Sequence, residues 1–424
     1  MGLSPLSRNG RRALLGAGVA IVALCAFGVY DATSGDEGGG PVDIEFALGG
    51  GTTDGTRAEK ETRGTDLAIH GRFRGLAATR DDTVYLLTEE EKGMVLWVRR
   101  SSGATERIPV TGMEGAKAGQ AAVAPDGSVY LAAGDLWKVS PGGAATKVVD
   151  TRCPYTKFSP LATKVGSLCV QWVTGVTVTE DGSVYIGDRI AWGNRSSFVH
   201  RISGDAVELV AGRSAGKGES LRSSNPAVRK GIDPPSGTRA KDVLVPGAVP
   251  NGRLASDRRG VYWQTGPGIV RIDEDGTLSP VVAARKPGRI GVQGGPFEPI
   301  GHAVDAELGF RAEFSTDADL TASSAHGGLY YTDTSRSYSP PYSEDYRWGG
   351  KKSAAQKSFM AEQAGGKAVF QVADGEVSSV AVGAQAIAAG GDSLYIAAES
   401  VVSGDKSAEN WRTAVLQLDL PQEK

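Results

Sequence analysis

The chain has 424 residues, a formal net charge of −3 and 59 glycines, which stand mainly at turn positions. Its nearly balanced charge argues against a nucleic-acid-binding protein, which would carry a basic stripe. No long stretch beyond the N-terminus has the apolar periodicity of an amphipathic helix, so the sequence predicts short strands joined by tight turns.

The N-terminus differs from the rest of the chain. An uncharged apolar run of about 18 residues, 13–30, follows three arginines and precedes acidic residues. This charge asymmetry predicts that the N-terminus stays inside and that the rest of the chain lies outside. We therefore divide this part into a basic region (1–12), a hydrophobic helix (13–30) and a linker (31–41).

Three fates of the hydrophobic segment are considered. An uncleaved signal anchor would hold the protein in the cell membrane through 13–30, with a single pass and an outer C-terminal domain. A cleaved signal peptide, with small residues at 32–34, would release the protein. Lipid attachment at Cys25 is the third, although Leu24 stands where such a motif has a small residue. Residues 10–15 also resemble a twin-arginine export motif.

Two further cysteines, Cys153 and Cys169, lie in one connecting segment. If the chain is exported, a disulfide between them is expected. The alternative is a pair of buried thiols in a reducing compartment.

A β-branched residue or leucine followed by tyrosine recurs six times along the chain. Each pair comes after a turn of four residues, and several of these turns are rich in Asp, Gly and Ser, as at 125–128 and 180–183, which favours a β-hairpin. The six pairs are Val84-Tyr85, Val129-Tyr130, Val184-Tyr185, Val261-Tyr262, Leu329-Tyr330 and Leu394-Tyr395.

A strand of small residues precedes each turn, and two more strands follow the tyrosine strand in most units. Four antiparallel strands repeated six times predict an all-β fold, a six-bladed β-propeller spanning 42–421. We expect the small-residue strands to line the crowded axis and the tyrosine strands to pack between blades.

The sixth unit ends after its third strand, close to Leu420. Segment 42–48, which precedes the first unit, alternates apolar and polar residues. We therefore expect this N-terminal strand to close the last blade and remove a free sheet edge.

One run of motifs points to a family. Segment 209–212 (Leu-Val-Ala-Gly) is followed by 261–263 (Val-Tyr-Trp) and by 269–277 (Ile-Val-Arg-Ile-Asp-Glu-Asp-Gly-Thr), and 185–188 with 194–195 adds a partial match. This order resembles the NHL-repeat family over about 42–420, although most units lack the family's full Asp-Asn-Arg set. The resemblance implies the propeller fold and no single function, because NHL propellers include scaffolds, sensors and lyases.

The topology distinguishes two faces. The turn face carries the first-to-second and third-to-fourth hairpin turns, which are uniformly tight. The loop face carries the second-to-third and blade-to-blade connections, where nearly all long insertions fall, and long connections are often functional. The insertions are 49–74, 150–174, 212–252, 283–318, 334–367 and 399–413.

Aromatic residues in these insertions are candidate binding residues. Insertion 334–367 holds a Tyr- and Pro-rich stretch with Arg347, a composition that suits a sugar, a peptide or a protein partner. The alternative is that the rings form small cores that pin the loops. The candidates are Trp192, Tyr338, Tyr342, Tyr346, Trp348 and Trp411.

An enzymatic alternative uses carboxylates at the pore mouth. Asp188, Asp333 and Glu399 end second strands on the loop face and would bind Ca²⁺ there, as in gluconolactonase-like propellers. Their alternative role is to cap backbone amides. The four histidines have no metal-binding spacing and are expected at the surface.

These features together predict an extracytoplasmic binding module. It would engage an envelope ligand or protein partner through the loop face and need no cofactor. The alternative is a metal-dependent hydrolase or lyase centred on the pore.

Overall fold

The computed structural model describes the chain in several stretches, and residues 41–424 form one compact unit. The N-terminal segments 1–12 and 13–30 lie outside the described residues, as does the linker 31–41, so the predictions about them stay predictions. No helix within the described stretches is long and apolar enough to cross a bilayer. Those stretches are 44–55, 62–151, 161–188, 196–221, 225–246, 252–265, 268–282, 299–302, 319–323, 325, 328–338, 354–361, 366–401 and 411–420.

Blades 1 to 3 are four-stranded antiparallel sheets whose strands follow chain order from the axis outward. Blade 1 consists of Arg72–Ala78, Val84–Glu90, Gly93–Arg99 and Thr105–Pro109. Blade 2 consists of Gln120–Val123, Val129–Ala133, Asp135–Val139 and Ala145–Val149. Blade 3 consists of Val173–Val178, Val184–Asp188, Val199–Ser203 and Ala206–Ala211.

Blades 4 and 5 each have a fifth, outermost strand, which the four-strand repeat did not predict. Both extra strands come from the long insertions and cover an edge that would otherwise be open. Blade 4 contains Leu254–Asp257, Gly260–Gln264, Ile269–Ile272 and Thr277–Val282, with Thr238–Arg239 outside. Blade 5 contains Leu320–Ala322, Leu329–Tyr338, Gly366–Ala373 and Glu376–Ala384, with Pro299–His302 outside.

The last blade joins the two ends of the chain, as predicted. It consists of Ala386–Ala389, Ser393–Val401 and Trp411–Asp419, and Ile44–Leu48 pairs with the last of these as its outer strand. Ile44 lies opposite Leu418 and Phe46 opposite Leu416. The N-terminal and C-terminal strands of the propeller are therefore hydrogen-bonded neighbours in one sheet.

The hairpin turns of the turn face have the backbone geometry that their glycines permit. Gly127 has φ 78° and Gly182 has φ 80°, a left-handed conformation that a side chain disfavours. Asp126 and Asp181 accept hydrogen bonds from the amides of Ser128 and Ser183, two residues on. These local contacts explain why the turns could be predicted from sequence.

The hydrophobic core is divided into six clusters of described residues, one at each interface between neighbouring blades. Each tyrosine strand contributes side chains to the interfaces with both neighbouring blades. Val84 packs towards blade 6, whereas Tyr85 packs towards blade 2. The expected packing role of the second strands is confirmed.

Short elements lie within the insertions. Helix Ala354–Ala361 places Phe359 against Phe46 of the closing strand, with ring centroids 5.9 Å apart. Asn225 caps helix Pro226–Ile232 by accepting a hydrogen bond from the Ala227 amide. The remaining elements are the parallel pair Thr53–Asp54 and Leu67–Ala68 and the 3-10 turns Gly64–Asp66, Val165–Ser167 and Ala240–Asp242.

Candidate ligand-binding site at the axis

The innermost strands of the six blades contact one another in a closed ring around the axis. At the loop-face end of this ring lies a pocket of about 280 Å³, which we call the axial pocket. Blades 1, 2, 4, 5 and 6 all contribute to it. Among the described residues, its charged and aromatic lining consists of Arg72, Phe73, Arg74, Arg253, Asp319, Lys367, Glu399 and Trp411.

Gln120 is the buried residue that directly follows Gly119, which lines the pocket. Its amide nitrogen donates to the carbonyl oxygens of Leu254 (2.7 Å) and Leu320 (2.8 Å). Its amide oxygen accepts from the backbone nitrogens of Leu254 and Val176, each at 3.1 Å. One buried side chain thus ties blade 2 to blades 3, 4 and 5 across the axis.

The sequence predicted that only small side chains fit on the axis, and Gln120 is the exception. Its side chain fits because the facing strands offer backbone groups that need partners near the axis, and the amide supplies both donors and acceptors for them. A buried polar side chain therefore plugs the axis beside the pocket.

Basic side chains of the pocket are held by neighbouring backbone. Arg253 donates to the Thr174 carbonyl at 2.8 Å, and Lys367 donates to the Gln385 carbonyl at 3.1 Å. Arg74 forms an ion pair with Glu89 on the second strand of its own blade. These contacts fix the cations around the pocket mouth.

Trp411, one of the predicted binding residues, lines this pocket. The guanidinium carbon of Arg72 lies 5.0 Å from the centroid of its ring, within the range of a cation–π contact. The indole nitrogen is buried and has no hydrogen-bond partner in the structure. The pocket therefore combines an aromatic surface with positive charge.

The two acidic residues of the pocket bind backbone amides of other strands. Glu399 accepts from the Phe73 amide at 2.7 Å, and Asp319 accepts from the amides of Leu320 and Ile387 at 3.0 and 3.1 Å. Burial raises the pKa of Glu399, against the lowering effect of the Phe73 amide and of Arg74, Arg72 and Lys367. Burial likewise raises the pKa of Asp319, against the opposing effect of Arg253.

The structure does not place Asp188 in this pocket. Asp188 is fully buried at the end of the second strand of blade 3, where it accepts from the Phe198 amide at 2.7 Å. Burial raises its pKa well above the usual value. For Asp333 only the backbone, within Leu329–Tyr338, is described. Within the described stretches no three His, Cys, Asp or Glu side chains form a metal-binding group.

Several predicted residues cannot be placed in this geometry. Trp192, Tyr342, Tyr346 and Trp348 lie outside the described residues, and of Tyr338 only the backbone is described, at the end of its strand. Cys153 is also outside them, whereas Cys169 is buried. The disulfide between these cysteines stays a prediction.

The cations of the pocket were missed by the sequence analysis, although a signal existed. Arg72 and Arg74 lie in the first half of the innermost strand of blade 1, and Arg253 directly precedes that of blade 4. Innermost strands begin at the loop face, so residues at their starts must border the pore mouth. Basic residues there predict a positive mouth.

A second missed feature lies on the loop face beside the pocket. Trp172 is 42% exposed just before the first strand of blade 3, and the Lys117 ammonium lies 5.0 Å from its ring centroid. Lys117 directly precedes Ala118, which lines the pocket. An exposed aromatic ring near the pore mouth is a candidate for partner contact.

The histidines were predicted at the surface, and His200 contradicts this. It is fully buried on the third strand of blade 3, where Phe198 packs beside it at a centroid distance of 6.1 Å. Neither ring nitrogen has a hydrogen-bond partner in the structure. Burial lowers its pKa to about 4.

At the opposite end of the axis, the hairpin turns surround a wide, open depression of about 1490 Å³. Some of its acids take part in local hydrogen bonds and ion pairs. Asp181 accepts from the Thr179 hydroxyl at 2.5 Å and pairs with Arg201 at 3.1 Å. This depression is therefore wider and more open than the axial pocket.

The ring of six sheets defines the class of protein: this chain is a six-bladed β-propeller closed by its own N-terminal strand. No family model matches the chain, and no curated protein sequence matches it. Solved structures do resemble it. A gluconolactonase from Xanthomonas campestris is 11% identical, with 92% of this chain and 99% of that chain covered and a TM-score of 0.41.

Two further structures are similar at the same level. Virginiamycin B lyase from Staphylococcus aureus is 10% identical, with 84% and 98% of the two chains covered and a TM-score of 0.39. A protein of unknown function from Bacteroides thetaiotaomicron is 13% identical, with 89% and 75% covered and a TM-score of 0.43. Identities this low assign no function, since one fold hosts many activities.

Proposed function

We propose that this protein is a β-propeller of the cell envelope that binds a small ligand or a partner group in its axial pocket. One observation carries the proposal. The pocket joins four basic side chains, two carboxyl groups and the ring of Trp411 at the mouth of a plugged axis. A concave site with a few convergent polar groups on the loop-rich face is where ligand binding is expected.

The envelope location rests on the sequence. The hydrophobic segment 13–30, with arginines before it and acids after it, supports a membrane tether or an export signal. The predicted disulfide between Cys153 and Cys169 would fit such a compartment. The order of motifs from 209 to 277 supports membership of the NHL-repeat family.

The experiment compares full-length protein, purified in detergent from cell envelopes, with the Trp411→Ala variant. Co-purifying small molecules and proteins are identified and quantified by mass spectrometry. Trp137→Ala is the matched control, because Trp137 is also half-buried on a third strand and has a cation, Lys147, 4.9 Å from its ring centroid.

The wild type and the control should retain the same component, and Trp411→Ala should lose it by about tenfold, the effect of about 1.4 kcal/mol. Equal retention by all three proteins would refute binding in the axial pocket. A melting temperature of Trp411→Ala close to that of the control shows that the fold is intact.

A second candidate is the metal-dependent hydrolase or lyase, since Glu399 does lie at the pore mouth. This reading would need Ca²⁺ held by Glu399 and by carboxylates such as Asp333. It predicts stoichiometric calcium in purified protein and turnover of lactone substrates that Glu399→Gln abolishes. Metal-free protein without turnover would exclude it.

A further inference from the structure

Among its described side chains, the axial pocket has more hydrogen-bond donors than acceptors. Guanidinium and ammonium groups donate only, and four of them border the pocket. Asp319 already uses both carboxylate oxygens on the amides of Leu320 and Ile387. A molecule that complements this lining must therefore bring acceptor atoms.

The charges of the lining favour an anion. Arg74 is balanced by its ion pair with Glu89. The remaining cations, Arg72, Arg253 and Lys367, face two carboxyl groups, Asp319 and Glu399. The described lining thus has more basic than acidic side chains, and burial raises the pKa of both acids, which opposes their charged form.

Glu399 favours one class of anion over another. Only its Oε1 accepts a hydrogen bond within the described part of the chain, from Phe73. The other oxygen would share a proton with a ligand carboxylate, as two carboxyl groups at close range do. A phosphate dianion would bring more negative charge beside both acids.

The size of the pocket limits the ligand. A volume of about 280 Å³ is just below the usual range for small-molecule sites, roughly 300–1,000 Å³. Next to the pocket, the buried Gln120 side chain bridges the innermost strands across the axis, which limits how far a ligand can extend along it. A small molecule with one charged group and a compact carbon skeleton fits these limits.

We propose that the axial pocket binds a small organic acid, whose carboxylate is held by Arg72, Arg253 and Lys367 and whose carbon skeleton packs against Trp411. This inference rests on the proposed binding function and gives the class of its ligand. Arginine suits the role because its planar donors match both oxygens of a carboxylate.

Calorimetric titration of the full-length protein tests it with two matched pairs of probes, benzoate against benzyl alcohol and glucuronate against glucose. At least one acid should bind saturably and about tenfold or more tighter than its neutral partner. Inorganic phosphate is titrated in parallel.

Matched variants locate the binding. Arg253→Gln and Lys367→Gln should each weaken acid binding about tenfold, a typical effect of losing one charge-assisted bond. Arg258→Gln is the control, because Arg258 is exposed beyond the opposite end of the same strand, Leu254–Asp257. Glu399→Gln, which mimics the protonated acid, should keep the binding. Melting temperatures of the free variants verify folding.

Three results would overturn the proposal. The first is that neither acid binds tighter than its neutral partner, or that both pocket variants bind an acid as tightly as the wild type. The second is binding of phosphate without any of the acids. The third is that no acid binds, although retention of a co-purifying envelope component still requires Trp411. That result would refute the ligand class proposed here and leave the proposed binding function in place.

Discussion

The two ends of the central axis use carboxylates differently. At the turn face, Asp181 accepts hydrogen bonds from Thr179 and Ser183 of its own hairpin. At the loop face, Glu399 accepts one from Phe73, 326 residues away in the chain. The first contact shapes a turn, whereas the second joins the last blade to the first.

The pKa values of the acids follow this difference. The hydrogen bond from Thr179 lowers the pKa of Asp181 to about 2, and similar bonds lower the pKa of Asp81 and Asp275. Burial raises the pKa of Asp319 and Glu399 at the other end. The same chemical group is thus kept charged where it is solvated and driven towards neutrality where it is buried.

Asp82 shows that a hydrogen bond at the turn face can also join residues far apart in the chain, where the ring of blades closes. It lies in a hairpin of the turn face, yet it accepts hydrogen bonds from the Gly391 amide and the Tyr395 hydroxyl, each at 3.1 Å. These bonds cross from blade 1 to blade 6, where the chain's beginning and end meet. Long-range contacts therefore appear at the seam and on the axis.

The strongest test of this comparison removes the contact that joins the most blades across the axis, with Gln120→Ala. Four backbone groups on three blades would lose their buried partner, so the free energy of unfolding should fall by about 4 kcal/mol. Urea unfolding followed by tryptophan fluorescence measures this.

Gln417→Ala is the matched control, because Gln417 is half-buried and its amide bonds only within its own blade, to Ser393 and Asp419. It should cost less than about 1 kcal/mol. Equal losses for the two variants would show that contacts across the axis are no more important than contacts within a blade.

This division also explains what the sequence could predict. The turn at 125–128 and the Val-Tyr strands depend on neighbours in the chain, so their pattern is visible locally. Strand 42–48 was predictable because the sixth unit lacked its last strand. Gln120 was not, because its partners are up to 200 residues away and a lone polar residue before a small-residue strand has no pattern of its own.

The residues of the axial pocket follow the same rule. Trp411 was predicted from its residue type and its loop, and it does line the pocket. Asp188 was grouped with Glu399 because both end second strands, yet Asp188 is fully buried within blade 3. Sequence placed residues at the correct end of a strand but could not tell a side chain that faces the axis from one inside a blade.

His200 sharpens the claim that burial, rather than a particular face, sets these pKa values. Burial lowers its pKa from 6.5 to about 4. Between these two pH values the unfolded chain binds a proton at His200 that the folded chain excludes. The contribution of His200 to the free energy of unfolding is therefore fully present above pH 6.5 and is lost as the pH falls towards 4. The expected decrease in this free energy is about 3 kcal/mol.

The measurement is unfolding at pH 7, 5.5 and 4.5 for the wild type and His200→Leu. The variant should lack this part of the acid-induced destabilisation, so its stability relative to the wild type should rise as pH falls. His70→Gln replaces an exposed histidine and should behave as the wild type. An acid slope unchanged in His200→Leu would contradict the role of burial.

The smallest expected effect tests the turn face itself, with Asp181→Ala. The variant loses local hydrogen bonds from Thr179 and Ser183 at an exposed hairpin, so it should cost about 1 kcal/mol at pH 7. Because the folded pKa is about 2, below the usual 3.8, this contribution is present above pH 3.8 and lost as pH falls through 2. The difference between variant and wild type should therefore shrink in acid, while binding at the axial pocket stays unchanged. A stability difference that stays undiminished at pH 2 would contradict the role of the ionised Asp181 carboxylate. A changed ligand affinity would show that the turn and the pocket are coupled and would contradict the proposed independence of the two ends of the axis.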